Sequence, residues 1–189
     1  MISPKVAHVV GNGPSWIDFK KIADTDFVIG CNATKVKEAN VTMMSDVALC
    51  NQVVHLRKWG RVGDIVDVPV IANHHIVDWV NISEETAQYI KIYGIYRRPD
   101  DIGPLEMSSA HYGVIWAIDN GYDEIHVWGV DSYFQGHINS YTDTIRPSHM
   151  KKDAEKVARV AERWKLEWDT LIAKYNNIRI ILHAPTFIK

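Results

Sequence analysis

Val9-Val10-Gly11-Asn12-Gly13-Pro14-Ser15 runs an apolar strand into a glycine-rich turn, and Pro14 or Ser15 stands where a helix begins. Strand, tight turn and helix start in direct succession are how α/β domains bring a ligand to a helix N-terminus. Gly11 and Gly13 can take positive φ and let backbone N–H groups approach that ligand, with the helix dipole favouring a phosphate or carboxylate. The plain alternative is a tight turn that binds nothing.

A dinucleotide is the first ligand to weigh, and the residues fit it poorly. That fingerprint needs G-x-G-x-x-G and an acidic residue closing the second strand about 20 residues on, to hold a ribose hydroxyl. Here Trp16 fills the third glycine position, and the strand Phe27-Val28-Ile29-Gly30-Cys31 closes on Asn32. An amide both donates and accepts without charge, which suits a sugar, a base edge or a phosphate oxygen.

Working outward, strands are read at Val6 to Val10, Phe27 to Cys31, Val41 to Met44, Val68 to Ala72, Glu124 to Val130 and Ile178 to Leu182. Pro69 removes a ladder donor and predicts that the fourth of these is short or at an edge. Helices are expected from Ser15 to Ile22, from Val47 to Trp59 and from Ser108 or Ser109 to Asn120. Another follows the cap Ser83-Glu84-Glu85, with Tyr89, Ile90 and Tyr93 on it. The interior Val114, Ile115, Trp116, Ala117 and Ile118 is apolar nearly all round, so that helix lies under the sheet. Val157, Val160, Ala161, Trp164, Trp168, Leu171, Ile172 and Tyr175 recur at helical spacing over roughly 25 residues. Trp164 and Trp168 read as core. Strands alternating with helices give a single Rossmann-like α/β domain over residues 1–189: a mainly parallel, doubly wound sheet with helices on both faces and a short lid loop over 132–148.

Composition bounds the function. At 189 residues and 47% hydrophobic content the chain has material for one full core. The net charge of −2 is interspersed, without the basic footprint that dominates nucleic-acid binding. Met1 to Lys5 enters a strand without a signal-peptide core, and no run nears the ~18 apolar residues of a span. The reading is a cytoplasmic protein without a transmembrane segment. Cys31 and Cys50 read as packed thiols, and no metal or cofactor set is evident.

In a parallel sheet the ligand sits beyond the carboxyl ends of the strands, where strand order reverses. The residues read to be there are Gly11, Asn12, Gly13, Pro14 and Ser15; Asn32; Ser45 and Asp46; and Gly129 and Asp131, with Ser108 and Ser109 opening a helix beside them. Such a rim suits an uncharged sugar or base with one or two phosphates. Each residue alone could be a cap or turn.

Gly11-Asn12-Gly13-Pro14-Ser15, Cys31-Asn32, Ser108-Ser109 leading through Tyr112 to Gly121-Tyr122-Asp123-Glu124-Ile125, and Gly129-Val130-Asp131-Ser132-Tyr133 resemble, in order and spacing, the small bacterial sialyltransferases that use CMP-sialic acid. The resemblance covers most of the chain outside 46–105. It implies metal-independent, inverting transfer of a sugar from CMP to the hydroxyl of an acceptor, a glycan in that family. A histidine there acts as general base within a pattern like His-Ser-Lys-x-x-Asp, and two tyrosines stabilise the departing phosphate. His149-Met150-Lys151-Lys152-Asp153 stands at the corresponding place, making His149 the candidate base. Tyr133 matches one tyrosine closely, and Tyr141 matches the other after a two-residue insertion.

The chemistry of these groups agrees. Imidazole titrates near neutrality and can remove a hydroxyl proton, help typically worth about 10²–10⁴-fold. Phenols can donate to phosphate oxygens as charge develops there. His137 is the substitute base, and His111 and His183 read as satisfied core or rim histidines. His74 and His75, adjacent in sequence, point different ways.

The chain departs from the pattern in two places. The loop between Asp131 and His149 is much shorter than the family's lid, and the extension those enzymes use near membranes has no counterpart, which leaves the acceptor open. A second resemblance competes: archaeal-type pterin pyrophosphokinases also begin with G-x-G-P-S and place an acidic residue after the third strand, as Asp46 stands here. They need Mg²⁺ held by carboxylates, for which Asp46 and Asp131 would have to serve. A third reading is a protein that holds a nucleotide without turnover.

Overall fold

A computed structural model describes residues 4–61, 63–96, 107–136, 138 and 154–186. Seven strands form one sheet: β1 Val6–Val10, β2 Phe27–Cys31, β3 Val41–Met44, β4 Val70–Ala72, β5 Ile92–Ile95, β6 Glu124–Trp128 and β7 Arg179–Leu182. Their order is β5-β4-β3-β2-β1-β6-β7, with every neighbouring pair parallel. β2 to β5 are laid down stepwise on one side of β1, and β6 and β7 on the other. Strand order therefore reverses between β1 and β6, where Val10 pairs with Trp128 and the glycine turn leaves the sheet.

Both faces are covered, as continuous apolar strands require. One face packs Ala7, Val9, Ile29, Met43, Ile71, Ile125 and Val127 against α4 (Ser109–Asp119) and α6 (Ala154–Lys174). The other packs Met44, Val70 and Ala72 against α1 (Val47–Lys58) and α2 (His74–Asn81). Met43 and Met44 are adjacent and face opposite ways, the period-two alternation of a strand between two helical layers. α4 crosses beneath β1, β2, β3 and β6, as its all-round apolar sequence predicts. Trp168 on α6 is 1% exposed, and truncating a tryptophan so placed costs about 3–5 kcal/mol. No helix among the described residues is long and apolar enough to cross a membrane.

Several expected elements differ. The helix read from Ser15 to Ile22 is a 3₁₀ helix over Pro14–Asp18, because Asp26 takes the Ile22 and Ala23 N–H groups (3.1 and 2.8 Å) and turns the chain. β4 is short but not an edge, since β5 lies outside it. Pro69 falls just before the strand, and its carbonyl accepts from Thr42 N–H at 2.9 Å. The stretch after Asn73, hard to read from sequence, contains α2, the single-turn α3 (Glu84–Ala87) and β5. Tyr93 therefore belongs to a strand and not to the helix capped by Ser83. The expected lid, read from residue 132, begins inside the short helix α5 (Asp131–Gln135), which is ended by Gly136 at φ 70°. Trp168 is core, but Trp164 is only half-buried. Cys31 and Cys50 are buried free thiols, both pushed up to about 12 by burial.

Candidate functional site

The glycine turn is sealed against the end of β6. Gly11 N–H donates to the Trp128 carbonyl and Gly13 N–H to the Gly129 carbonyl, each at 2.8 Å. A Cβ on Gly11 would stand 2.5 Å from the Gly129 oxygen, and one on Gly129 would stand 2.6 Å from the Gly11 oxygen. Gly11 and Gly13, free to take positive φ, do not use that freedom. Gly13 has φ −65°, neither residue is left-handed, and it is Gly129 that takes φ 64°. Glycine is required here so that two chain segments can touch, and the two N–H groups are spent on the protein itself.

The helix start is occupied as well. Asp131, 1% exposed, accepts from Ser15 N–H at 2.9 Å and from the Ser15 hydroxyl in a short bond. A negative group does sit at the positive end of the turn, as the dipole favours, but it is the chain's own carboxylate. Pro14 supplies the N1 residue of that turn. Asp46 is likewise committed: its Oδ1 caps α1 by accepting from Ala48 and Leu49 N–H at 2.9 and 3.2 Å. Both carboxylates read as nucleotide or Mg²⁺ contacts are structural caps, and no group of three metal-ligating side chains converges among the described residues.

One step along the sheet edge the polar groups behave differently. Asn32 follows β2 at φ 54°, the one described non-glycine residue with positive φ, and Thr42 Oγ1 donates to its carbonyl at 2.7 Å. That geometry turns its side chain to Ser109, the first residue of α4, whose hydroxyl donates to Asn32 Oδ1 at 2.9 Å. Ser45, after β3, lies 2.8 Å from the same Ser109 oxygen. Ser109 has one proton and gives it to Asn32, so the bond runs Ser45 to Ser109 to Asn32. This accepting role leaves Asn32 Nδ2 directed elsewhere, with no partner among the described residues.

Asn12 completes the row. Its Nδ2 donates to the Cys31 carbonyl at 2.9 Å, which fixes the amide's orientation, and its Oδ1 is buried with no hydrogen-bond partner among the described residues. The side chain is 7% exposed, so an acceptor left open there is costly unless something fills it. Asn12 thus offers an acceptor and Asn32 a donor, both on uncharged groups. They match a hydroxyl, or a base edge with both an amino group and an acceptor. Asn73 extends the row beyond β4: its Oδ1 caps α2 through Ile76 N–H at 2.9 Å, and its Nδ2 reaches the Ser45 carbonyl at 3.4 Å. Sequence reading missed Asn73, although an asparagine between the apolar Val70-Ile71-Ala72 and the helical pair Ile76 and Val80 carries the signal of a strand end followed by a cap.

Ser108 is turned inward. Its N–H and hydroxyl both meet His111 Nδ1, at 3.1 and 2.7 Å, and His111 Nε2 meets the Trp164 carbonyl at 3.2 Å. Burial drives the His111 pKa down to about 3. Tyr133, on α5, donates its hydroxyl to Asp169 on α6 at 2.9 Å; this bond, with burial, raises the phenol's pKa. His149, Tyr141 and His137 lie outside the described residues.

A second polar cluster lies on the opposite face of the sheet from α4. His8 Nε2 is 2.9 Å from Asp26, His126 lies between Glu124 (2.7 Å) and His183 (2.8 Å), and Trp128 stacks on His183 at 3.6 Å. Burial lowers His8 despite its carboxylate partner, and lowers His183 to about 4. All three imidazoles are hydrogen-bonded within a packed layer, as expected for His183.

No family model matches the sequence, and no curated protein matches it. Among solved structures the chain shares the fold of Campylobacter jejuni sialyltransferases. It superposes on Cst-I, described as a monofunctional α-2,3-sialyltransferase, with TM-score 0.62 and 14% identity, covering 100% of this chain and 79% of that one. CstII with the substrate analogue CMP-3FNeuAc gives TM-score 0.55 at 16% identity, over 98% and 83% of the two chains. CstII with cytidine-5′-monophosphate gives 0.58 at 16%, over 97% and 82%. The fold class is therefore an α/β Rossmann-like sheet of the architecture that carries these transferases.

Proposed function

We propose that the protein is a glycosyltransferase that takes a sialic acid-like sugar from a CMP donor and passes it, with inversion and without a metal, to an acceptor hydroxyl on a glycan. The observation that carries the reading is the open acceptor of Asn12 in a row with Asn32, Ser45 and Ser109, along the carboxyl ends of β1 to β3 next to the reversal of strand order, in a fold shared with CMP-bound transferases. A row of neutral amides and hydroxyls can hold sugar and base groups by hydrogen bonding. The two nearby carboxylates already serve as caps, which weakens the case for a Mg²⁺-dependent pyrophosphoryl transfer.

In this scheme His149 takes the proton of the acceptor hydroxyl as its oxygen bonds to the sugar and the bond to phosphate breaks. CMP leaves, with Tyr133 and Tyr141 donating to its phosphate oxygens. Tyr133 must then exchange Asp169 for the phosphate when donor binds. A thermal-shift panel in EDTA tests the reading: CMP and CMP-sialic acid raise the melting temperature, and His149→Ala still binds CMP but loses transfer. A shift seen only with ATP and Mg²⁺ overturns it. Full turnover in His149→Ala removes the proposed base.

A further inference from the structure

We infer that His111 is a positioning residue for the proposed donor site, acting through Ser109; the inference rests on that site being where the nucleotide binds. His111 is wholly buried, at the third position of α4, and touches none of the row residues by hydrogen bond. What it does is fix the segment from which Ser109 projects. Ser108 N–H is an obligatory donor, so His111 Nδ1 must be the unprotonated nitrogen and the proton sits on Nε2, which donates to the Trp164 carbonyl on α6. The Ser108 hydroxyl adds a second donor to Nδ1. The ring also stacks on Trp168 at 4.0 Å and 25°.

One imidazole thus clamps the N-cap of α4 to the middle of α6. Ser109 is the residue next to that clamp, and its hydroxyl is the relay between Ser45 and Asn32. If Ser108 swings, the Ser109 hydroxyl turns with it and Asn32 loses the bond that aims its amide. An ordinary cap would satisfy Ser108 without reaching another helix. His111 makes the aim of Asn32 depend on the seating of α6, the helix that follows residue 149 in the chain.

The test is a set of full-length variants. His111→Phe keeps the stack on Trp168 and removes all three hydrogen bonds, whereas His111→Gln keeps an acceptor that can reach Ser108 N–H from the third helical position. By calorimetry His111→Phe weakens CMP binding about tenfold, the effect of one lost hydrogen bond, and His111→Gln stays within about threefold of wild type. In a Ser109→Ala background His111→Phe has no further effect, because the path through Ser109 is already cut. The NMR signals of the Asn32 side-chain amide move in His111→Phe and hold in His111→Gln, a readout that needs no nucleotide. Wild-type CMP affinity in His111→Phe, independent losses in the double variant, or unmoved Asn32 signals overturn the inference. Absence of CMP binding by the wild-type protein, with Asn32 moving as stated, overturns the proposed function and leaves the positioning role standing.

Discussion

Two polar regions meet at the carboxyl ends of β1 and β6, and they handle their hydrogen bonds in opposite ways. In the seam of Gly11, Gly13, Ser15, Gly129 and Asp131, the two glycine N–H groups are matched to the carbonyls of Trp128 and Gly129, and the Ser15 N–H to the Asp131 carboxylate. In the row of Asn12, Asn32, Ser45 and Ser109, a buried acceptor is left over. The first arrangement is what a structural joint needs and the second what a binding site needs. A glycine-rich turn can therefore serve a ligand indirectly, by holding Asn12 in place while its own amides stay closed.

The sharpest way to break this contrast is to disturb the seam. Gly129→Ala puts a methyl group against the Gly11 carbonyl at a positive-φ position, and urea unfolding should show a loss of about 3 kcal/mol or more. A loss under about 1 kcal/mol would mean that the two segments are not in tight contact. Asp131→Ala, which leaves the Ser15 N–H and hydroxyl buried without an acceptor, should cost about 2–3 kcal/mol by the same measurement. Asn12→Ala should do the reverse. Its stability cost is only about 1 kcal/mol, because the unpaired Oδ1 goes with it, while CMP affinity falls at least about tenfold.

Acid provides a gentler probe. His111 and His183 are held in the folded state at about 3 and about 4, below their ordinary 6.5, so the unfolded chain binds more protons in between. The stability these groups contribute is complete above pH 6.5 and is lost as pH falls from there towards their folded values. Melting temperature should decline over that range, and His111→Gln should flatten the decline. The smallest effect is expected for Tyr133→Phe, which removes one exposed bond to Asp169 and should change stability by less than about 1 kcal/mol while lowering transfer.

The strands, the turn at Gly11 and the caps at Ser83 and Ser108 were legible because each depends on residues a few positions apart. β5 was not. Its four residues, Ile92-Tyr93-Gly94-Ile95, alternate half-buried and exposed, follow a one-turn helix and include a glycine, so the local pattern is too brief to separate strand from helix. Asn32 and Ser45 were foreseeable as strand-end residues and Ser109 as a helix start, but their hydrogen-bond order was not.

Sequence by itself determined the α/β alternation, the glycine joint and the small neutral residues that end the strands. Tertiary structure decided which of those groups remain open. Ser15 and Asp131 are 116 residues apart, and Asn32 and Ser109 are 77 apart. Only the order β3-β2-β1-β6, with α4 beneath it, makes them neighbours. A side chain's type and nearest neighbours set what it can bond to, whereas its partner is chosen by whichever distant segment packing brings within 3 Å, as a short-range directional bond demands.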